Sequence, residues 1–304
     1  ANRAAACRVK SIDRITAPGR LIATGDLHDN PLHLARLVKA AGLDESETAK
    51  QRDSESGEPS SDPVSLSRCF APPSHLVLHE IIHSDRIING ADFSYRMLAR
   101  VAGLKAEFPE LVHTILANHE LAQVMGAGII KDGVKVVEAF NNGLEDAFGD
   151  QARSVADAIK EFIFSMPLAL RCECGPLEHR RHILIAHSVP STAMMDRFDA
   201  TVLSRELVPE DYEPRKGAAH IMVWWRGYDA EQLEDLVERW GVNMFILGHE
   251  KAELGVKVVP PCAIILNSDH DRGVYLPIDL DHPPGVEQAA ASVVPLNPPD
   301  LGAF

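Results

Sequence analysis

Residues 21–28 read Leu-Ile-Ala-Thr-Gly-Asp-Leu-His, a short apolar run typical of a buried strand that ends in Asp26 and His28. The pattern recurs four times, after apolar runs at residues 76–78, 112–116, 182–186 and 244–247, and the residues that follow are Asp85, Asn118-His119-Glu120, His187 and Gly248-His249. One such ending is common by chance. Five of them predict a single site at the carboxyl edge of a sheet, where strands deliver the residues that follow them.

The residue types at these strand ends are metal ligands. Two adjacent divalent ions need carboxylate, imidazole and amide ligands, one of them shared. Asp26 and His28 could both reach one ion, and Asp85 is predicted to bridge because a carboxylate has two oxygens. Three further strand ends are predicted to complete the second ion: Asn118, His187 and His249. His119 would stand beside the ions without binding them, where a general acid belongs.

The composition is that of an ordinary globular protein, with 45% hydrophobic and 24% charged residues among 304. Thirty basic and 44 acidic residues give a net charge of −14, which argues against a nucleic-acid partner because phosphate neutralisation needs clustered Lys and Arg. No uninterrupted apolar stretch approaches the roughly 18–20 residues that cross a bilayer, so no membrane partner is expected. A small anionic substrate is compatible, because bound metal ions would reverse the local field.

The five cysteines do not form a disulfide framework in a chain of this size. Cys172-Glu-Cys174 lacks the two-residue gap of a zinc knuckle and lies in a strand-like stretch. Packed thiols in a reducing, cytoplasmic compartment are therefore expected. Because the chain begins at Ala1 rather than Met, removal of an upstream segment is an open alternative.

One domain is expected over residues 1–304, with its core at about 18–281. Residues 44–74 are rich in acids, Ser, Gly and Pro and predict a mobile insertion, and residues 282–304 predict a Pro-rich, loosely ordered tail. Helical spacing predicts helices at 31–41, 91–107 and 231–240, and a helical cap over the site at 133–165, broken at Gly143 and Gly149.

A competing motif lies at His79-Glu80-Ile81-Ile82-His83, which fits the H-E-x-x-H signature of zinc proteases. That chemistry requires a helix, so that both histidines share one face. The preceding apolar run and the β-branched Ile81-Ile82 favour an extended chain instead, on which His79 and His83 would lie about 13 Å apart. Both histidines are therefore interpreted as structural residues or as supports for the ligands.

The residues at these five strand ends resemble the motifs of the calcineurin-like metallophosphoesterases, close to the phosphoprotein phosphatases. The family motif G-D-x-H-G resembles Gly25–Asp29, and G-N-H-E resembles Ala117–Glu120. The family's two later metal histidines resemble His187 and His249, and its L-P-L-A stretch resembles Met166–Leu170. The resemblance covers about residues 18–281 apart from the insertion.

The chain departs most from the family's second motif, G-D-x-x-D-R-G. Matched to Ser84–Gly90, it keeps its first Asp as Asp85 but has Ile88 in place of the second Asp and Asn89 in place of the phosphate-binding Arg. His119 would then lack its orienting carboxylate, which alters its pKa and lowers activity.

Further departures lie near the metal motifs. Asp29 replaces a Gly and Ser188-Val189 replaces Gly-Gly, which puts close substrate approach in doubt. Arg86 and Arg226 are the candidates for the missing cation. Arg226 is preferred, because related bacterial phosphatases carry a Trp-x-Arg similar to Trp224-Trp-Arg226.

The resemblance implies an α/β fold, a two-sheet β-sandwich flanked by helices in four αββα layers. It implies hydrolysis of a phosphate monoester, on a phosphoprotein or a small molecule, by a hydroxide bridging two divalent ions, with His119 as general acid and Arg226 on a nonbridging oxygen. The ligand set admits Mn, Fe, Zn or Ni, with Mn favoured. Two alternatives stay open: a dinucleoside polyphosphate hydrolase, and a weakened phosphatase that serves as a binding module.

Overall fold

A computed structural model describes residues 1–44 and 73–297. The insertion predicted at 44–74 lies outside the described residues apart from positions 44, 73 and 74. Within the described ranges no helix has the length and apolar character needed to traverse a bilayer.

The strands of the described chain form two mixed sheets and a small hairpin. They are β1 (Arg8–Val9), β2 (Ile12–Thr16), β3 (Arg20–Thr24), β4 (His75–His79), β5 (Val112–Ile115), β6 (Ile130–Lys131), β7 (Val134–Lys135), β8 (Ala169–Cys174), β9 (Arg181–Ala186), β10 (Met244–Leu247), β11 (Val256–Val259), β12 (Ala263–Leu266), β13 (Val274–Asp279) and β14 (Val294–Pro295). One sheet has the order β1-β2-β8-β9-β10-β12-β11 and the other β14-β13-β3-β4-β5, while β6 and β7 pair alone.

Eight α-helices connect these strands within the described ranges. They are α1 (Pro31–Ala40), α2 (Tyr95–Glu107), α3 (Asn118–Met125), α4 (Val136–Phe148), α5 (Ala152–Phe164), α6 (Ala218–Trp224), α7 (Ala230–Trp240) and α8 (Val286–Ala291). Most bury one face, as α7 does with Leu233 and Leu236. The side chain of Asp229 caps the first turn of α7, and Gly241 ends the helix in the left-handed conformation.

Alternate residues of the strands face two different hydrophobic cores. On β10, Met244 and Ile246 belong to a core built almost entirely from residues of both sheets, whereas Phe245 and Leu247 pack with residues of the helices. The two sheets therefore pack face to face, and helices cover their outer faces. This arrangement confirms the predicted α/β sandwich.

Parallel pairing places the predicted site at one edge of each sheet. Strands β3, β4 and β5 run parallel to one another, and β9 runs parallel to β10. The residues that follow the carboxyl ends of these five strands contact one another, and the two sheets meet where the backbone N–H of His249 donates to Asp26. The predicted convergence of strand ends is confirmed.

Two sequence-based boundaries differ from the structure. Helix α4 runs unbroken through Gly143, because this glycine lets the helix lie against the backbone of Asp92 and does not end it. The tail expected to be loosely ordered forms α8 and β14, and β14 pairs with β13 through Val274 and Pro295. Residues 298–304 lie outside the described residues.

A buried cluster of charged groups between β2 and β5 predicts a pH dependence of stability. Asp13 accepts hydrogen bonds from His113 Nδ1 at 2.9 Å and from Arg8 Nε at 2.7 Å. Although burial opposes the shift, these partners lower the pKa of Asp13 to about 2, while burial lowers the pKa of His113. Both groups bind protons more readily when unfolded, so stability should fall as the pH falls below about 6.5.

Urea denaturation of the wild type and Asp13→Asn between pH 7 and pH 3 measures this dependence. Asp13 contributes about 2 kcal/mol at neutral pH, and about half of this should be lost by pH 3, where the unfolded carboxylate is protonated. The difference in the free energy of unfolding between the wild type and Asp13→Asn should therefore become smaller as the pH falls. A constant difference across this range would contradict the lowered pKa of Asp13.

Candidate metal centre

The loop after β3 is held against the end of β10. Both carboxylate oxygens of Asp26 accept a hydrogen bond from the backbone N–H of His249, each at 3.0 Å. A Cβ on Gly248 would lie 2.4 Å from Asp26 Oδ1 and 2.5 Å from His79 Cε1, so only glycine permits this approach. The contact joins one strand end from each sheet and explains why glycine precedes His249.

Glu80, the first residue after β4, is the carboxylate at the centre of the site. Its Oε1 lies 3.1 Å from His28 Nε2 and 3.4 Å from His119 Nε2, and its Oε2 lies 2.8 Å from His187 Nε2. The side chain is buried, and Oε2 accepts no hydrogen bond of good geometry. The two oxygens of Glu80 therefore face two different groups of side chains.

Asp85, the predicted bridging ligand, lies outside this cluster. Its side chain is 67% exposed and forms an ion pair with Lys131 Nζ at 2.8 Å. The assignment of Asp85 is corrected because β4 ends at His79, and Glu80 turns away from the strand direction with φ of 48°. Glu80 thus occupies the strand end that was assigned to Asp85.

The other five predicted ligands come together around Glu80. His187 Nε2 lies 2.8 Å from Asn118 Oδ1 and 3.0 Å from His249 Nδ1. Asp26 Oδ1 lies 3.5 Å from the other ring nitrogen of His187. These contacts, with that of His28, place side chains from five strand ends within one cluster.

Backbone carbonyls fix the tautomers of two of these imidazoles. His28 Nδ1 lies 3.3 Å from the carbonyl oxygen of Ile82, and His249 Nε2 lies 3.2 Å from that of Trp224. Because a carbonyl only accepts, these two nitrogens carry the protons. In their neutral forms, His28 and His249 therefore direct the lone pairs of Nε2 and Nδ1 into the cluster, as ligand imidazoles require. His249 Nδ1 faces His187 Nε2 at 3.0 Å and Arg226 Nη2 at 3.3 Å.

His79 has the same effect on His187. His79 Nε2 donates to the carbonyl oxygen of Thr24 at 2.9 Å, which leaves His79 Nδ1 as an acceptor 3.1 Å from His187 Nδ1. In its neutral form, His187 therefore donates from Nδ1 and keeps the lone pair of Nε2 for the cluster. Residues 80–83 form no helix, so the zinc-protease interpretation of H-E-x-x-H is excluded.

Glu120 supports the loop that carries Glu80. Its Oε1 accepts hydrogen bonds from the backbone N–H groups of Ile81 at 2.6 Å and Ile82 at 3.2 Å. Burial and the charge of Glu80 raise the pKa of Glu120 to about 7. Glu120 therefore positions the loop and does not enter the cluster.

The charges of the cluster depend on one another. Burial opposes ionisation of Glu80, but the imidazoles of His187, His119 and His28 lower its pKa well below the ordinary value. Burial likewise opposes protonation of His187, yet Glu80 and Asp26 raise its pKa to about 10. The cluster thus holds two ionised carboxylates that attract positive charge.

Backbone strain is concentrated in the same loops. Several non-glycine residues with left-handed φ angles between 39° and 67° lie in or next to the cluster: His28, Asp29, Glu80, His83 and His249. Such conformations cost about 1–3 kcal/mol each and persist where surrounding contacts impose them. They turn the chain sharply at the strand ends, so that side chains from different strands meet.

A cleft of about 1120 Å³ opens over the cluster and carries two cations near the ligands. Arg226 Nε donates to the carbonyl oxygen of His249 at 3.1 Å, which places its guanidinium beside the cluster. Lys131, on the β6–β7 hairpin, lies across the cleft and was not predicted from the sequence. The ammonium group of Lys131 forms an ion pair with the exposed Asp85.

The position of Glu80 also corrects the reading of the second motif. Counted from Glu80, the second Asp of G-D-x-x-D-R-G falls on His83 and the Arg falls on Ser84. Ile88 and Asn89, matched earlier to those positions, lie in a surface turn with Ile88 58% exposed. His83, not Ile88, is the residue that contacts His119, at 2.8 Å between their Nδ1 atoms.

The donor set fits metal ions. Ligand atoms that share one ion at bond lengths of about 2.0–2.2 Å lie about 3.0–3.5 Å apart, and the contacts around Glu80 fall at or close to this range. Glu80 Oε2 is a buried acceptor without a hydrogen bond, and the imidazole nitrogens nearest to it carry lone pairs. Carboxylate, amide and imidazole atoms gathered this closely are the donors that divalent ions prefer, so the residues could hold metal ions.

Solved structures match most of the chain, among them two phosphatases. A cold-active protein-tyrosine phosphatase of a psychrophilic Shewanella species aligns with a TM-score of 0.58 and 15% identity over 95% of this chain and 83% of that protein. A serine/threonine phosphatase from Saccharomyces cerevisiae aligns with a TM-score of 0.55 and 13% identity over 89% of this chain and 77% of that protein. The chain therefore shares the fold of these two proteins. No protein-family model and no curated protein matches the sequence.

Proposed function

We propose that this chain is a metal-dependent hydrolase of phosphate monoesters, acting on a phosphoprotein or a small molecule. The observation that carries the proposal is Glu80, whose two oxygens face separate groups of ligand atoms. The fold is one that it shares with two phosphatases, and the cluster lies at the carboxyl edge common to both sheets.

The residues that would hold two ions divide at Glu80. Asp26, His28 and one oxygen of Glu80 would bind the first ion, and the other oxygen would bind the second together with Asn118, His187 and His249. Divalent ions in such a site act as Lewis acids on phosphoryl oxygens and supply a nucleophile from water at neutral pH. The nitrogen and oxygen donors suit Mn, Fe, Zn or Ni, and Mn is the ion to test first.

The chain's own cations would hold the substrate. Arg226 and Lys131 border the cleft near the ligands, where a guanidinium and an ammonium can bind the nonbridging oxygens of a phosphate. The general-acid role predicted for His119 depends on whether its Nε2 carries a proton. That proton is governed by the hydrogen bond at His119 Nδ1.

The test is hydrolysis of p-nitrophenyl phosphate, of phosphoserine and phosphotyrosine peptides, and of diadenosine tetraphosphate, after chelation and with Mn²⁺ restored. Turnover of a monoester that disappears on chelation and returns with Mn²⁺ is expected. Preference for diadenosine tetraphosphate would support the dinucleoside polyphosphate alternative. Binding of ions without turnover of any substrate would support the binding module, which the replacement of a carboxylate by His83 favours.

Removing the Arg226 side chain should weaken the binding of the phosphoryl group without affecting metal binding. Arg226→Ala is expected to lower kcat/KM by about 10²-fold, because it deletes a charged donor to the phosphoryl group. Lys257→Ala is the matched control, since Lys257 borders the same cleft but pairs with Glu250 at 2.8 Å. Equal effects of the two substitutions would show that Arg226 contributes only general positive charge.

A further inference from the structure

His83 and His119 share a proton between their rings. Their Nδ1 atoms lie 2.8 Å apart, and both side chains are buried. Two ring nitrogens at this distance form a hydrogen bond only if one carries the proton and the other offers its lone pair. The partner of the remaining nitrogen of His83 decides which ring donates.

That partner is Gln123. His83 Nε2 lies 3.0 Å from Gln123 Oε1, and Gln123 Nε2 donates to Asn141 Oδ1 at 2.8 Å, which fixes the orientation of the amide. His83 therefore donates from Nε2 and accepts at Nδ1. It follows that His119 donates from Nδ1 and carries a lone pair on Nε2.

The lone pair of His119 points at the ligands of the first ion. His119 Nε2 lies 3.4 Å from Glu80 Oε1, and the rings of His119 and His28 meet edge to face at 4.9 Å between centroids. Donor atoms of His28, Glu80 and His119 all lie within 4.8 Å of one another. His119 thus shows the feature that marks the other ligand imidazoles, a distal nitrogen held by an acceptor and a free nitrogen facing the cluster.

We propose that His119 is a further protein ligand of the ion assigned to His28 and Glu80, and that His83 is the positioning residue that sets its tautomer. The proposal rests on the proposed metal-dependent function, because it assumes that the cluster binds ions. A general acid at this position would need a proton on Nε2, which the hydrogen bonds from Asn141 to His119 do not provide. If His119 is a ligand, removing its side chain should weaken metal binding. If it is a general acid, metal binding should not change.

Mn²⁺ binding by equilibrium dialysis and calorimetry separates the roles. The wild type should bind two ions, and His119→Ala should bind one of them at least about 10-fold more weakly. His282→Ala, which removes an exposed imidazole, should match the wild type. Two ions bound by His119→Ala with wild-type affinities would overturn this proposal alone, whereas no binding by the wild type would overturn the proposed function as well.

Two further measurements address the positioning role. His83→Leu should weaken the same ion about 10-fold, the scale expected when the support of a ligand is lost, and His83→Gln, which keeps an acceptor, should bind it nearly as the wild type does. In the metal-free wild type, ¹⁵N NMR should report His119 with its proton on Nδ1. A proton on Nε2 of His119, or equal metal affinities in the two His83 variants, would overturn the assignment.

Discussion

If the proposed function is right, Glu80→Gln should leave the chain folded but unable to hold the proposed pair of metal ions, and phosphatase activity should fall on the order of 10³-fold or more. The substitution keeps the size of the side chain but removes the charge that lies between His28 and His187 at 3.1 and 2.8 Å. An amide offers one oxygen and one NH₂ group, so it cannot serve two ions. Metal content by mass spectrometry and turnover with Mn²⁺ measure both effects.

Asp85→Asn is the matched control for this result. It makes the same kind of change at the carboxylate predicted from the sequence, which the structure places on the surface in an ion pair with Lys131. Metal content should stay at the wild-type level, and activity should change by less than about 5-fold, because an exposed ion pair contributes about 1 kcal/mol or less. Loss of both ions in Asp85→Asn, with retention in Glu80→Gln, would restore the original assignment.

Gly143→Ala should lower the free energy of unfolding by about 3 kcal/mol, whereas Gly103→Ala should raise it by about 0.5–1 kcal/mol. Both glycines lie inside helices, Gly143 in α4 and Gly103 in α2. A Cβ on Gly143 would lie 1.9 Å from the carbonyl oxygen of Asp92, but a Cβ on Gly103 would meet nothing within 4 Å. The same substitution thus has opposite effects, because only one of the two sites is closely packed.

Urea denaturation of Gly143→Ala and Gly103→Ala measures both changes in the free energy of unfolding. Gly143→Ala should also reduce activity, because Asp92 accepts hydrogen bonds from the backbone N–H of Ser84 and from Ser94, and Ser94 accepts one from the backbone N–H of His83. Displacing Asp92 would therefore disturb the loop that follows Glu80. A stabilising effect of Gly143→Ala would show that α4 does not lie against Asp92.

Much of the fold could be predicted from the sequence because its elements carry strong periodic patterns. The buried runs before Asp26, Asn118, His187 and His249 are strands whose residues alternate between two cores, and the ligands follow them directly. Parallel pairing then fixes where these residues meet. For this reason five of the six residues predicted as ligands lie in one cluster, as the sequence indicated.

The sixth predicted ligand, Asp85, lies outside the cluster because the sequence alone does not show where β4 ends. The apolar character of β4 continues through Ile81 and Ile82, which indicated a longer strand leading toward Asp85. In the structure these residues are buried beyond the sheet, and the chain leaves the strand direction at Glu80. On the other strands the first predicted ligand comes one to three residues after the last strand residue, and the same rule applied to β4 indicates Glu80.

Other site features depend on contacts between residues distant in sequence. Lys131 reaches the cleft from a hairpin, and His83 contacts His119 across 36 positions. Gly143 resembles a helix breaker in sequence, whereas its role is to admit the backbone of Asp92. Local sequence patterns predict helices and strands, but they carry no information about contacts between residues that are distant in sequence.

The most direct test of a metal centre bridged by Glu80 is a crystal structure of the Mn²⁺-loaded protein with anomalous data. Two anomalous peaks about 3.5–4 Å apart are expected. Each should lie within bonding distance of a different oxygen of Glu80, with Asn118, His187 and His249 around one of them. A single peak, or peaks bound by Asp85 and remote from Glu80, would contradict the account.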